Sequence, residues 1–526
     1  MKRRSFLKNA ACFSTGLITT FGYSRLVKAN DHFVTAVIIG SGFGGAVAAL
    51  RLGQAGIDTV VLERGRRWPI TSAQNTFATQ RQPDGRAAWL STTTFEGAPV
   101  DKFTGILETK SENGITVLCG AGVGGGSLSY FCATLQPTQD LFYKTFPRAI
   151  DYEELDRVYF PRVRSILKPS KHPSDILSSS YYQSSRAFLE QIKNTGLPYF
   201  ENDLNVDWDI VRQEIVGTRE PSLIIGDVFF GSNSGAKNSL DRNYLAQAEQ
   251  SGFVEILPLH VAKEISEVGG EGYRVYYEQI TETGEVVVSG SITCRYLFLA
   301  AGSMGTSTLL VKAKEKGTLP RLNEHIGKGW AQNGDTFSTR FGLPPNNPTQ
   351  GGPAYAYTLT HFDNPLGPIT LTGSADWDAP EGTDALLGQG IPLARGDFKY
   401  NAAKDSVELD WPANSSETQA ILEATKLTQA ILDKSNTDST YQPRTEVNDS
   451  LTVHPLGGAV IGKACDLYGR VKGYQGLYVI DSALIPGATG GVAPSLTIAA
   501  LAERNMERIL ERDILDSKLV RHRYRP

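Results

Sequence analysis

The 526-residue chain is short of several things, and each shortage argues against a class of function. Its five cysteines, at positions 12, 119, 132, 294 and 465, show neither a CxxC pair nor zinc-ligand spacing. That argues against a disulfide framework and a structural zinc site. Long apolar runs are missing: no segment reaches the ~20 apolar residues a helix needs to span a bilayer, so no stable transmembrane anchor is expected. Positive charge is not in excess either. Lys and Arg number 52 against 56 Asp and Glu, a net charge of −4. Six of the basic residues lie in positions 1–29, which hold no acidic residue, so a chain starting at Asn30 carries −10. A nucleic-acid partner would require a basic face instead. What remains, with 40% hydrophobic and 21% charged residues, is a folded chain rather than a disordered one. At roughly 100–200 residues per domain it holds two or three domains with full cores.

Glycine is abundant, at 53 residues or about 10% against a usual ~7%, and its placement is informative. The run 35–39 (Thr-Ala-Val-Ile-Ile) suits a buried parallel strand. Gly40-Ser-Gly42-Phe-Gly44-Gly45 follows at once, then an Ala/Leu-rich helical stretch over 46–54, then a second strand over 59–62 ending at Glu63. Strand, GxGxxG, helix, strand and acid make a dinucleotide-binding junction. Gly40 permits the tight turn, Gly42 lets the backbone approach a pyrophosphate, and Gly45 lets helix and strand pack closely. The helix N-terminus presents free N–H groups to phosphate. Glu63 accepts from ribose hydroxyls, and its charge disfavours NADP. Five further glycines and a serine fill 120–127, useless in a core strand or helix but suited to backbone that must approach a large flat ligand. A hairpin (273–279 and 286–292) precedes another strand–glycine–helix junction at 298–310. A strand over 477–480 ends at Asp481, and 499–510 reads as the closing helix.

The first thirty residues read as an address. Paired arginines (Arg3, Arg4), a mildly apolar stretch over 10–21 and small residues at Val27 and Ala29 resemble a twin-arginine export signal cleaved before Asn30. An exported, periplasmic or secreted bacterial protein is expected.

Taken in order, Gly40–Gly45 with Glu63, Gly122–Ser127, the segment 300–310, and His454-Pro455-Leu456-Gly457-Gly458 followed by the strand into Asp481 resemble the glucose–methanol–choline (GMC) oxidoreductases. The similarity is greatest to the cholesterol-oxidase-like branch of that family, and it runs from about residue 33 to 512. It implies a Rossmann-type, glutathione-reductase-like α/β FAD-binding domain plus an α+β substrate domain with an antiparallel sheet. On this reading 30–145, 226–326 and 450–526 form the FAD-binding domain, and 146–225 and 327–449 the substrate domain. The resemblance further implies non-covalent FAD. Gly40, Gly42, Phe43, Gly44, Gly45 and Glu63 would lie at its ADP half, and Ala262 near adenine. Gly122, Gly126, Ser127 and Tyr130 would lie near the flavin, with Asp481, Ser482, Ala493, Pro494 and Ser495 framing ring and ribityl chain.

It also implies that an alcohol carbon gives hydride to the flavin while a base takes the hydroxyl proton. Histidine titrates in the right range for that transfer. Of the seven histidines only His454 has an apolar, Gly-flanked context, and Pro455 restricts its backbone. His260 reads as the end of a strand, and 32, 172, 325, 361 and 522 as surface positions. The chain departs from the family where the resemblance calls for an Asn or second His (here Ala493) and for a substrate-domain Glu (here Thr372, with Asp376 and Asp378 just beyond). Tyr130 stands where that branch has Asn. Aromatics at Phe341, Tyr355, Tyr357, Phe362, Trp377 and Trp411 either line an apolar cavity or form the core of the antiparallel sheet. The leading expectation is an FAD-dependent alcohol oxidase or dehydrogenase acting on a sterol-like or other bulky apolar alcohol, with O2 or another acceptor. Alternatives are a same-fold enzyme acting on a different alcohol or isomerising a double bond, and a catalytically idle flavin-binding protein.

Overall fold

The computed structural model describes residues 32–269 and 272–515; the segment read as an export signal lies outside the described residues. The apolar run at 35–39 lies in strand His32–Ile39, inside a seven-stranded sheet. On one flank Thr59–Leu62 and then Val254–Leu257 run parallel to it, and on the other lies Val286–Leu299, also parallel. Burial on both faces explains the unbroken Val/Ile character: Val37 and Ile38 have no exposed surface. The 14-residue strand Val286–Leu299 combines two expected elements. Its first part closes the antiparallel hairpin with Gly272–Ile280, which pairs in turn with His260–Val268. Its last residues lead to the helix Gly302–Glu315 and carry Leu477–Val479 in parallel. His260 therefore opens a strand and does not end one.

Helix Phe43–Gln54 lies against this sheet so closely that two of the signature glycines are steric necessities. A Cβ on Gly44 would stand 1.9 Å from the Ile480 carbonyl oxygen, and one on Gly45 2.1 Å from that of Gly40. Gly40 itself turns through φ +97°, a region that favours glycine. The closing helix Ser495–Ile509 is tied to the first by Arg51, which donates to both oxygens of the fully buried Glu503 at 2.6 and 2.7 Å.

A second, wholly antiparallel sheet has six strands in the order Arg444–Asn448, Thr336–Phe341, Asp384–Gly390, Ile369–Ser374, Ala354–His361, Tyr199–Glu201. Strand alternation gives it two faces. Leu371, Leu386 and Tyr355 pack with Ile421, Ala424 and Leu432 of helix Ser416–Lys434 and with Phe188 and Ile192 of helix Gln183–Thr195. Their neighbours Thr372, Leu387, Gln389 and Phe337 face the other way, into a cavity between the two sheets. Together the sheets make the expected α/β FAD-binding fold with an antiparallel partner. Among the described residues no helix is long and apolar enough to cross a membrane.

Candidate active site

A cavity of about 660 Å³ runs from the carboxyl ends of the parallel strands to the face of the antiparallel sheet. Its first stretch is the nucleotide-binding junction: Gly40, Gly42, Phe43, Gly44 and Glu63 line it, with Ala262 nearby. Helix Phe43–Gln54 begins at Gly42 without a side-chain cap and without an acidic residue in its first turn, leaving N–H groups turned to the cavity. Glu63 is buried, and its carboxylate is already engaged. One oxygen accepts from the Ser41 amide at 3.0 Å and the Ser41 hydroxyl at 2.6 Å, the other from the Gly65 amide at 2.8 Å. The acid thus fixes the glycine loop through Ser41, a residue the motif does not single out.

Two glycines mark where a ligand belongs. A Cβ built on Gly42 or on Gly126 would meet nothing within 4 Å, and both residues line the cavity. No protein atom requires these positions to be bare, so the space beside them suits backbone in close approach to a bound group. Gly45, Gly122 and Ser127 do not line the cavity. Ser127 is buried behind its wall, donating to the Gly124 carbonyl at 2.7 Å and accepting from the Leu240 amide at 3.0 Å, which shapes the turn that carries Gly126. Asp481, Ser482, Ala493, Pro494 and Ser495 all reach the cavity. The Asp481 carboxylate accepts from the Gly302 amide at 2.8 Å, the Thr306 hydroxyl at 2.5 Å and the Ala483 amide at 2.8 Å. Burial still pushes its carboxyl up to about 6.

The far end is apolar. Phe131, Phe229, Phe337, Ala354, Leu387 and Val453 line it, with Thr372, Gln389, Tyr130 and His454 as polar points. The aromatics weighed from sequence stand elsewhere. Tyr355 is in the core behind the sheet, Trp411 packs edge-on against Trp330 at 5.1 Å, and Phe341 lies under the Arg444 guanidinium. Phe362, Trp377, Tyr357, Asp376 and Asp378 are likewise not among the lining residues. Tyr130 sits edge-on to Phe43 at 5.7 Å and accepts from the Asn205 amide at 2.9 Å. Burial raises its phenol well above the usual 10, so it stays protonated.

His454 is anchored by groups the motif did not reveal. Its Nδ1 stands 2.9 Å from Oδ1 of Asp335, a carboxylate with no exposed surface, and 3.2 Å from the Gln389 amide nitrogen. Asp335 Oδ2 accepts from the Thr452 hydroxyl at 2.8 Å and the Val453 amide at 3.1 Å. Nδ1 is therefore engaged within the protein, and Nε2 is the ring nitrogen left for the cavity. Thr372 is also constrained. The Thr358 hydroxyl spends its proton on Asn202 Oδ1 at 2.7 Å, so Thr372 donates to Thr358 at 2.6 Å and offers the cavity only lone pairs. His172 and His361, expected at the surface, are both buried.

Comparison with known proteins agrees with this geometry. Residues 392–502 match the GMC oxidoreductase family model and residues 38–97 an NAD(P)-binding Rossmann-like domain. The chain is 27% identical to a cholesterol oxidase of Mycobacterium tuberculosis over 89% of both chains. It is 24% identical to a cholesterol oxidase of Acinetobacter baumannii over 93% of this chain and 96% of that one. Among solved structures it shares its fold with pyridoxine 4-oxidase from Mesorbium loti (TM-score 0.61) and an FAD-dependent oxidoreductase from Chaetomium thermophilum (TM-score 0.63). Each is 15% identical, and the match covers 91% of this chain and 99% of the other. With these matches, the uncapped helix end and the two bare glycines converge on one reading: this is an FAD-dependent alcohol oxidoreductase, similar over most of its length to cholesterol oxidases and over residues 392–502 to the GMC oxidoreductases.

Proposed function

We propose that the chain oxidises the CH–OH group of a bulky apolar, sterol-like alcohol and that His454 takes the hydroxyl proton. The observation that carries this is the make-up of the far cavity: an apolar wall of Phe131, Phe229, Phe337 and Leu387 beside one side chain able to accept a proton. Tyr130 is held protonated by burial, and Thr372 is a hydroxyl rather than a carboxylate, so the task falls to His454. The curated relatives named cholesterol oxidase support a sterol-like alcohol.

Bound FAD supplies the acceptor for the carbinol hydride. The chain's part is to hold that group and the alcohol together. Gly40, Gly42, Phe43 and Gly44, which line the cavity at the open helix end, would hold its pyrophosphate, and Glu63 and Ala262 would flank its adenosine. Gly126, Tyr130, Asp481, Ser482, Pro494 and Ser495 line the cavity where its ring and ribityl chain would lie. The apolar wall excludes water from the reacting carbon, and His454 removes a proton that an alcohol cannot shed unaided near neutral pH. O2 or another acceptor would take up the electrons, and the paired-arginine segment would direct export of the loaded protein.

Anaerobic mixing of the flavin-loaded protein with 3β-hydroxysterols tests this. Bleaching of the flavin is expected, and His454→Gln should retain the cofactor while slowing the bleaching by roughly 10²–10⁴-fold, the range of general-base catalysis. Bleaching by small polar alcohols alone, or an H454Q variant with unchanged rates, would overturn the proposal.

A further inference from the structure

We infer that Asp335 is a positioning residue that keeps the proton of neutral His454 on Nδ1, so that Nε2 meets the alcohol as a bare lone pair. The inference rests on the reading of His454 as the proton acceptor. Asp335 comes from the turn before strand Thr336–Phe341, 119 residues away in sequence, and has no exposed surface. Its hydrogen-bond partners fix its role. Oδ2 receives two N–H or O–H donors, from Thr452 and Val453, and Oδ1 faces His454 Nδ1 at 2.9 Å. An ionised carboxylate only accepts, so the imidazole must donate from Nδ1. No Lys or Arg pairs with Asp335 among the described residues, and the titratable side chain it meets is His454. When the alcohol's O–H bond breaks and its proton bonds to Nε2, the ring becomes a cation whose other N–H already points at this carboxylate. The same carboxylate therefore sets the tautomer before the transfer and balances the charge after it.

Gln389 must adapt to this arrangement. With the Nδ1 proton given to Asp335, Nδ1 has no lone pair for an amide N–H. The carboxamide nitrogen stands 3.2 Å from Nδ1, so this assignment requires the amide to rotate and meet the ring through its oxygen. It buttresses the ring and relays no proton.

The Asp335→Asn variant separates this role from mere packing. The Val453 amide can only donate, so an Asn at this position must place its oxygen there and present its NH2 to His454 Nδ1. Nδ1 would then have to accept, moving the proton to Nε2 and blocking the base. The experiment reads ¹⁵N shifts of histidine-labelled protein, with the His454 signals assigned by their loss in H454Q. The wild type should show a proton on Nδ1, and D335N should show it on Nε2 at full flavin content. Flavin reduction by a 3β-hydroxysterol should slow on the order of 10³-fold in D335N, while D335N should add little to H454Q.

A wild-type spectrum with the proton on Nε2 would overturn the inference by itself, whether or not D335N folds. So would equal, additive losses from D335N in the wild-type and H454Q backgrounds, the mark of a structural role. An H454Q variant with wild-type reduction rates would instead sink the reading of His454 while leaving the tautomer assignment standing.

Discussion

Gly42 and Gly44 lie two residues apart in one motif, yet the structure gives them opposite duties, and alanine at each should show it. Gly42 has ordinary helix-entry torsions (φ −69°) and open space where a Cβ would stand, so Gly42→Ala strains nothing in the empty protein. Its stability should hold or rise by about 0.4–1 kcal/mol through lost unfolded-state entropy. The methyl group would occupy the approach to the pyrophosphate. Losing one charge-assisted backbone hydrogen bond there costs about 1.5–3 kcal/mol, or roughly 10–150-fold in Kd for FAD. Gly44→Ala should do the reverse. Its Cβ lands 1.9 Å from the Ile480 oxygen and 2.7 Å from the carbonyl carbon, so helix and strand must separate. Overpacking of that kind costs about 1–3 kcal/mol or more, beyond the ~1 kcal/mol that alanine gains over glycine inside a helix. Chemical denaturation of the FAD-free proteins and FAD titration by flavin fluorescence measure both quantities. A G42A variant that binds FAD like wild type would refute the reasoning, as would one that unfolds as readily as G44A.

Three further outcomes are expected. Removing FAD should lower Tm, since a ligand at 100 times its Kd adds about 2.7 kcal/mol; an unchanged Tm after reversible removal would count against the cofactor site. His172 is buried against Trp208 and Tyr182, and burial pulls its pKa from the usual 6.5 down to about 3. Below pH 6.5 the unfolded chain takes a proton that the folded one refuses, so stability falls as pH drops through that window. At pH 5 the loss is about 2 kcal/mol, and His172→Phe should flatten this acid limb in denaturation curves; identical limbs would contradict it. Phe229→Ala should cut kcat/KM for bulky apolar alcohols about 10-fold while leaving FAD content unchanged, and an equal loss with small alcohols would show that Phe229 does not contact the substrate.

The parts legible in the sequence are those whose physics is local. The junction at Gly40–Glu63 and the strand into Asp481 can be read from contiguous residues, because strand, turn and helix N-terminus follow one another along the chain. His454 stands out for a similar reason, as a titratable group set in apolar and glycine-rich surroundings. Asp335 and Gln389 could not be found this way. They lie 119 and 65 residues from His454 and meet it only because the antiparallel sheet delivers them. The cavity's aromatics follow the same logic. Phe337 and Phe341 occupy one strand and one alternating face, yet only Phe337 reaches the cavity, and strand placement rather than composition decides that. The placement of His172 in a core was equally hidden, since nothing local distinguishes a buried neutral imidazole from an exposed one.

On the proposed reading, an alcohol's carbinol carbon reaches bound flavin in this cavity while His454 takes the hydroxyl proton. This is tested most directly by following anaerobic flavin bleaching with a 3β-hydroxysterol carrying hydrogen or deuterium at the carbinol carbon, in wild type and H454Q. Bleaching should be several-fold slower with deuterium, and much slower in H454Q. Loaded flavin that no alcohol bleaches would contradict that reading.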